Sequence, residues 1–175
     1  MENEKKEKWL NYLSVTTVLV AVFATLSTFK GGGYSTKSLL SQSNASDQWA
    51  YYQSKSIKSY LCEMQKENLE LQLSNSSNKE NLEDLKKRIA AYAEKIKKYE
   101  DEKEQITKEA KSFELLRDES KSHSERFGIA VIFLQVSILL SSISALAKNK
   151  YIWGISVIVG AIGIVYFING FVVFF

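Results

Sequence analysis

The sequence predicts an all-α integral membrane protein in which three transmembrane helices carry a long antiparallel coiled-coil hairpin between the first and the second. Three observations lead there. All 23 Lys and Arg and all 20 Asp and Glu fall within 1–8, 30–126 and 148–150, leaving three charge-free blocks. Each block has about the 20 residues an apolar helix needs to cross a bilayer. Leu82, Leu85, Ile89, Tyr92, Ile96, Tyr99, Ile106, Ala110 and Phe113 alternate steps of three and four, interrupted only at Lys103, and this is a heptad seam. Proline is absent, so nothing removes a backbone donor or clashes with a preceding turn inside a long helix.

Taken in order, residues 1–8 form a lysine-rich tail and 9–29 the first span, with Trp9 and Tyr12 at headgroup level. Lysines followed by an apolar core also describe a signal sequence. This core is long for one and lacks a clean Ala-x-Ala site, so a retained span is expected. Gly31-Gly32-Gly33 is then expected to end the helix, because glycine is costly inside one.

The segment 30–126 is read as the extramembrane hairpin, with legs at about 35–73 and 77–126. On the first leg Ala50, Ile57, Tyr60, Met64 and Leu71 mark a seam at heptad spacing, widened by Trp49, Leu61 and Leu69. The turn is 74–77, and Ser77 with Glu80 makes a capping box for the second leg. Legs joined so tightly run antiparallel, and at 1.5 Å per residue they would rise roughly 60 Å. Glu83 with Lys87, Glu94 with Lys98 and Glu104 with Lys108 give its wet faces the favoured i to i+4 pairs. The second span is 127–147, a short loop 148–150 follows, and the third span is 151–175.

Composition excludes some functions. A net charge of +3 on so many ions is nearly balanced, which is unlike the concentrated basic surface that nucleic acid requires. Cys62 stands alone, so no intrachain disulfide forms, and it is expected to pack as a small apolar group. His123, the only histidine, is expected to be solvated or interfacial, since one imidazole is not a metal-ligand set. No cofactor, metal or catalytic constellation is expected: there is no phosphate loop, no nucleophile with its base and no paired carboxylates.

Asp47, Trp49, Tyr51 and Tyr52 concentrate aromatics low on the first leg and are the candidate partner interface, although packing on the returning leg would also explain them. In the spans Gln135, Ser137, Ser141, Ser156, Gly160, Gly163 and Asn169 are candidates for close span packing or for a pore lining. No buried carboxylate or arginine, the usual mark of an ion pathway, accompanies them.

Lys5, Lys6, Lys8, Lys148 and Lys150 fall on one side, which the positive-inside tendency makes cytoplasmic. The hairpin would then be periplasmic in a bacterial inner membrane, although Lys30, Lys37, Arg117, Lys121 and Arg126 flank the other side. Besides the lipid bilayer, the expected partner is a second copy, because a lone two-helix hairpin encloses little interior. The leading expectation for function is a non-enzymatic homo-oligomeric membrane scaffold. The alternatives are a channel or transport component and an accessory subunit docking an unknown membrane or periplasmic protein near Trp49.

The strings Trp9-Leu10-Asn11-Tyr12-Leu13, Ala24 through Tyr34 with its three glycines, and Ala45-Ser46-Asp47-Gln48-Trp49-Ala50-Tyr51-Tyr52-Gln53 with Lys55-Ser56-Ile57-Lys58 resemble a bacterial membrane family catalogued as the domain of unknown function 4337. The resemblance implies three spans and a helical extramembrane hairpin. It implies no activity.

Overall fold

A computed structural model describes residues 2–75 and 79–174, with side chains from 9 to 75 and 81 to 174. These residues form three helices: α1 (Glu2–Asn75), α2 (Lys79–Ala147) and α3 (Lys150–Val172). All three are long and apolar enough to cross a membrane. The capping box expected at Ser77 and Glu80 lies outside the described residues and side chains.

α1 does not break at Gly31-Gly32-Gly33, as the sequence led us to expect; it runs through them. Three glycines cost a helix roughly 1 kcal/mol each in isolation. Tertiary packing overrides that cost, as it does for most helices in proteins. Gly31 is buried, and a Cβ there would stand 3.0 Å from the Cβ of Phe127, so glycine lets α1 and α2 touch. Ser124 Oγ donates to the Gly31 carbonyl at 3.0 Å and closes the contact.

The chain divides into two compact units, Met1–Leu40 with Leu116–Phe175, and Ser41–Leu115. In the first, α2 and α3 pack antiparallel through small residues. Added Cβ atoms at Gly160, Gly163 and Gly170 would lie 2.8 Å from Ser137 Oγ, 2.7 Å from Leu134 Cγ and 2.8 Å from Phe127 Cε1, respectively. The turn between the two helices is Lys148-Asn149. Lys148 takes a left-handed φ of 49°, and Asn149 caps α3 by accepting from the Tyr151 N–H at 3.0 Å. α1 lies alongside α3 and runs in the same direction, joined by Trp9 on Trp153, by the Trp153 indole donating to Thr16 Oγ1 at 3.2 Å, and by Phe23 against Phe167.

In the second unit the inward side of α2 carries Leu82, Leu85, Ile89, Tyr92, Ile96, Tyr99 and Phe113, all half-buried, with Ile106 and Ala110 buried. The α1 side requires a correction. Ile57, Tyr60, Met64 and Leu71, expected in the seam, are exposed, Met64 by 64% and Tyr60 by 66%. The face turned to α2 is the opposite one: Ser41, Ala45, Tyr52, Lys55, Ser59, Cys62, Lys66, Leu69 and Leu73, all buried or half-buried. Polar partners on α2 select this face. It also carries small side chains that let the two backbones approach.

Candidate functional site

The polar layer of the hairpin is built from both helices. Ser59 Oγ donates to Glu100 Oε1 at 3.0 Å, and the Lys103 ammonium reaches the same oxygen at 2.6 Å. Lys55 pairs with Glu102 at 2.6 Å, with its ammonium 5.0 Å from the Tyr51 ring centre and 5.6 Å from that of Tyr99. Lys103, the one interruption of the heptad, lies 5.7 Å from the Tyr52 ring centre, so its charge is used and not merely tolerated.

Each pairing shifts the titration of its members. The hydrogen bond from Lys55 holds the Glu102 carboxyl below the usual range, and the one from Lys103 does the same for Glu100. The ammonium groups of Lys55 and Lys103 are raised in return, chiefly by their bonds to Glu102 and Glu100. Charged groups satisfied in pairs fix register, as a polar layer does in a coiled coil.

The aromatic block divides. Trp49 is half-buried and donates from its indole to Glu114 Oε1 at 2.9 Å, with Tyr52 packed edge-on at 5.7 Å. Both belong to the hairpin interior, whereas Asp47 and Tyr51 are exposed.

In the other unit, Ser137 and Ser156 exchange bonds, each hydroxyl donating to the other's carbonyl at 2.8 and 2.9 Å. Ser141 Oγ sits 2.6 Å from Ser156 Oγ. All three are buried, and together with Gly160 and Gly163 they hold α2 against α3. Asn169 is also buried, and its Oδ1 accepts from the Phe174 N–H at 2.7 Å, closing the end of α3. Gln135, grouped with these by sequence, is not brought to them and stands exposed. A crevice of about 180 Å³ beside the serines, lined by Thr16, Val20 and Ile164 among others, is apolar because the hydroxyls beneath it are already bonded.

A cluster around Phe127 was not foreseen. Phe127 is wholly buried, stacked by Tyr34 at 5.9 Å and met edge-on by Phe167 and Phe171 at 5.8 and 5.0 Å. His123, expected to be solvated or interfacial, belongs to the same cluster. It is half-buried, stacked on Tyr34 at 4.6 Å, and 2.8 Å from the Gly170 carbonyl through Nδ1. A carbonyl only accepts, so Nδ1 carries the proton. This imidazole ties α2 to the last turn of α3, where the macrodipole favours such a donor. The sequence signal was there: Gly31, Gly170, Phe127 and Phe171 are the residues of a ring packed on bare backbone.

Among the described residues no group of three or more His, Cys, Asp or Glu could hold a metal ion. Cys62 is a free, half-buried thiol on the α2-facing side of α1.

A family model described as a domain of unknown function, DUF4337, matches residues 9–173. No curated protein and no solved structure matches the chain.

Proposed function

The chain belongs to the DUF4337 family, and from that premise, which brings no activity with it, we propose that it is a non-enzymatic, homo-oligomeric membrane scaffold. One observation supports this reading above the others. On the side of α1 turned away from α2, Ile57, Tyr60, Leu61, Met64 and Leu71 are 56–66% exposed at heptad spacing. A second apolar stripe on a helix that already has one partner is the raw material of a second helical seam. The outer face of α2 in this unit, by contrast, is mostly charged, with Ala90, Ala91 and Ala93 among the charges and Leu115 as its one large exposed apolar side chain among the described residues. The hairpin therefore has one dry side and one wet side, and copies meeting through the dry side would remove the stripe from water.

The remaining parts of the proposal have their own support. The three charge-free segments are bilayer-length, and the lysine bias favours a bacterial inner membrane with the N-terminus cytoplasmic and the hairpin periplasmic. Pairing of the reactive-looking groups favours a structural role: the serines bond one another, and His123 bonds a carbonyl. That pairing also weighs against a pore lined by Ser137, Ser141 and Ser156.

A second reading has the exposure of Asp47 and Tyr51, one turn apart, in its favour. It makes that edge of the hairpin a docking point for another membrane or periplasmic protein.

The test is the particle mass of the full chain in a mild detergent at micromolar concentration. A multiple of the 19.9 kDa chain is expected. The double substitution Ile57→Lys with Met64→Lys should lower the association while leaving helix content unchanged, because neither side chain contributes to the fold of one chain. A monomeric native protein overturns the proposal.

A further inference from the structure

The outward face of α2 within its charge-free segment carries a pattern that packing inside one chain does not use. Gly128, Ile132, Gln135, Leu139, Ser142 and Leu146 are all exposed, and their spacing alternates four, three, four, three and four. This is an unbroken seam in which small or polar residues (Gly128, Gln135, Ser142) alternate with large aliphatic ones (Ile132, Leu139, Leu146).

Two features of the seam lack a reason within the chain. An added Cβ at Gly128 would meet no atom within 4 Å, unlike Gly163 and Gly170, whose bareness admits Leu134 and Phe127. The Gln135 carboxamide has no hydrogen-bond partner among the described residues, whereas Ser142 is satisfied by the Ile138 carbonyl at 3.0 Å. Gln135 lies about 12 Å along the helix from Phe127 and about 18 Å from Ala147, too deep for its side chain to reach either headgroup region. Hydrocarbon offers an amide no partner, and such a group is expected to bond across to another helix.

We infer that this seam is a contact between copies of the chain, in register, with Gln135 facing Gln135. The choice of a second copy rests on chemistry and depth. A carboxamide is both donor and acceptor, so two of them satisfy each other, and a second copy inserted the same way places its own amide at the same depth. One polar layer in an otherwise apolar seam also fixes register and subunit number, the best-attested role of such a residue. Gly128 lets the two helices approach at one end of the seam, and Ser142 spares them a bulky contact near the other. The inference rests on the homo-oligomeric reading above and assigns the membrane-embedded part of its interface.

The experiment uses the full chain in phosphatidylcholine vesicles, in a Cys62→Ala background that removes the native thiol. Leu139→Cys should give a disulfide-linked pair on mild oxidation, and Ile158→Cys, on the exposed side of α3, should not. Fluorescence energy transfer over a dilution series in lipid should show Gln135→Leu associating about ten-fold more weakly than the native chain, with Gln135→Asn retaining most of the affinity. Equal cross-linking at both positions, or undiminished association of Gln135→Leu while the native chain remains oligomeric, overturns the assigned face and leaves the scaffold reading standing. A native chain that stays monomeric at high protein-to-lipid ratio overturns both.

Discussion

The two compact units contain the same kind of element, a pair of antiparallel helices, and hold it together in opposite ways. In the unit of 41–115 the contact is made by charges and hydroxyls: Lys55 with Glu102, Ser59 and Lys103 with Glu100, Trp49 with Glu114. Only Ala45, Leu69, Ile106 and Ala110 among its apolar residues are buried. In the unit of 1–40 with 116–175 the ion pairs Arg117 with Asp118 and Lys121 with Glu125 lie along α2 itself. Backbones approach over Gly31, Gly160, Gly163 and Gly170, and the polar contacts between helices are made by hydroxyls, the Trp153 indole and the His123 ring. Where water is plentiful, paired charges cost little and specify register. Where apolar surface is everywhere, shape is the available source of specificity.

The comparison breaks most severely at Phe127. Its ring fills the space between Gly31 on α1 and Gly170 on α3, and three other rings rest on it. Phe127→Ala should destabilise that unit by about 4 kcal/mol, the usual cost of deleting a buried ring whose surroundings cannot collapse. Unfolding by denaturing detergent, followed by circular dichroism, measures it. A change below about 1 kcal/mol would mean that the glycines, not the ring, hold the helices together.

How much of this was legible follows from the same contrast. The three apolar segments were readable because exclusion of charge is a property of composition, and the inward face of α2 because most of its large apolar side chains recur at heptad spacing. The α1 face was misread because the seam is not its most apolar stripe. Gly31, Ser38, Ala45, Tyr52, Ser59, Lys66 and Leu73 recur every seventh residue, as do Ser41, Gln48, Lys55, Cys62 and Leu69. A rule that seeks large aliphatic residues ranks that face last. Ile57 and Met64 carried the stronger local signal and point away. The glycine break failed for a related reason: helix propensity is local, and Phe127, which makes Gly31 useful, lies almost a hundred positions away.

The small residues Gly160, Gly163, Ser137, Ser141 and Ser156 were legible as a group. Their pairing was not, since it depends on how α3 registers against α2. Lys55 with Glu102 and His123 with Gly170 were invisible for the same reason.

A milder change sharpens the comparison in the apolar unit. Ser137→Ala removes one arm of the exchange with Ser156 and leaves Ser156 Oγ bonded to the Ser137 carbonyl and close to Ser141 Oγ. The expected loss is about 0.6 kcal/mol, typical of interhelical hydrogen bonds between apolar segments. The same unfolding titration checks it, and a loss as large as that for Phe127→Ala would show that hydroxyls, not shape, dominate this unit.

The smallest effect concerns pH. Glu102 and Glu100 have carboxyls lowered in the fold, chiefly by hydrogen bonds from Lys55 and Lys103. Their contribution to stability is therefore complete above the unfolded carboxylate value of about 4.3 and is lost as pH falls through the lower folded value. Lys55 and Lys103 are raised, so their share is present below an unfolded value of about 10.4 and disappears only as pH climbs through the higher folded one. In a non-ionic detergent the melting of the hairpin should be level from pH 7 to about 5 and decline below about 4.5. Glu102→Gln should lower the neutral-pH melting temperature and flatten the acid decline, since an amide neither titrates nor holds the ammonium as strongly. An unchanged acid limb in Glu102→Gln would move the cause to other carboxylates, such as Glu104, held low by Lys108, or Asp118, held low by Arg117. Because Asp118 belongs to the other unit, Asp118→Asn then decides whether the acid-sensitive contact is in the unit of 41–115 at all.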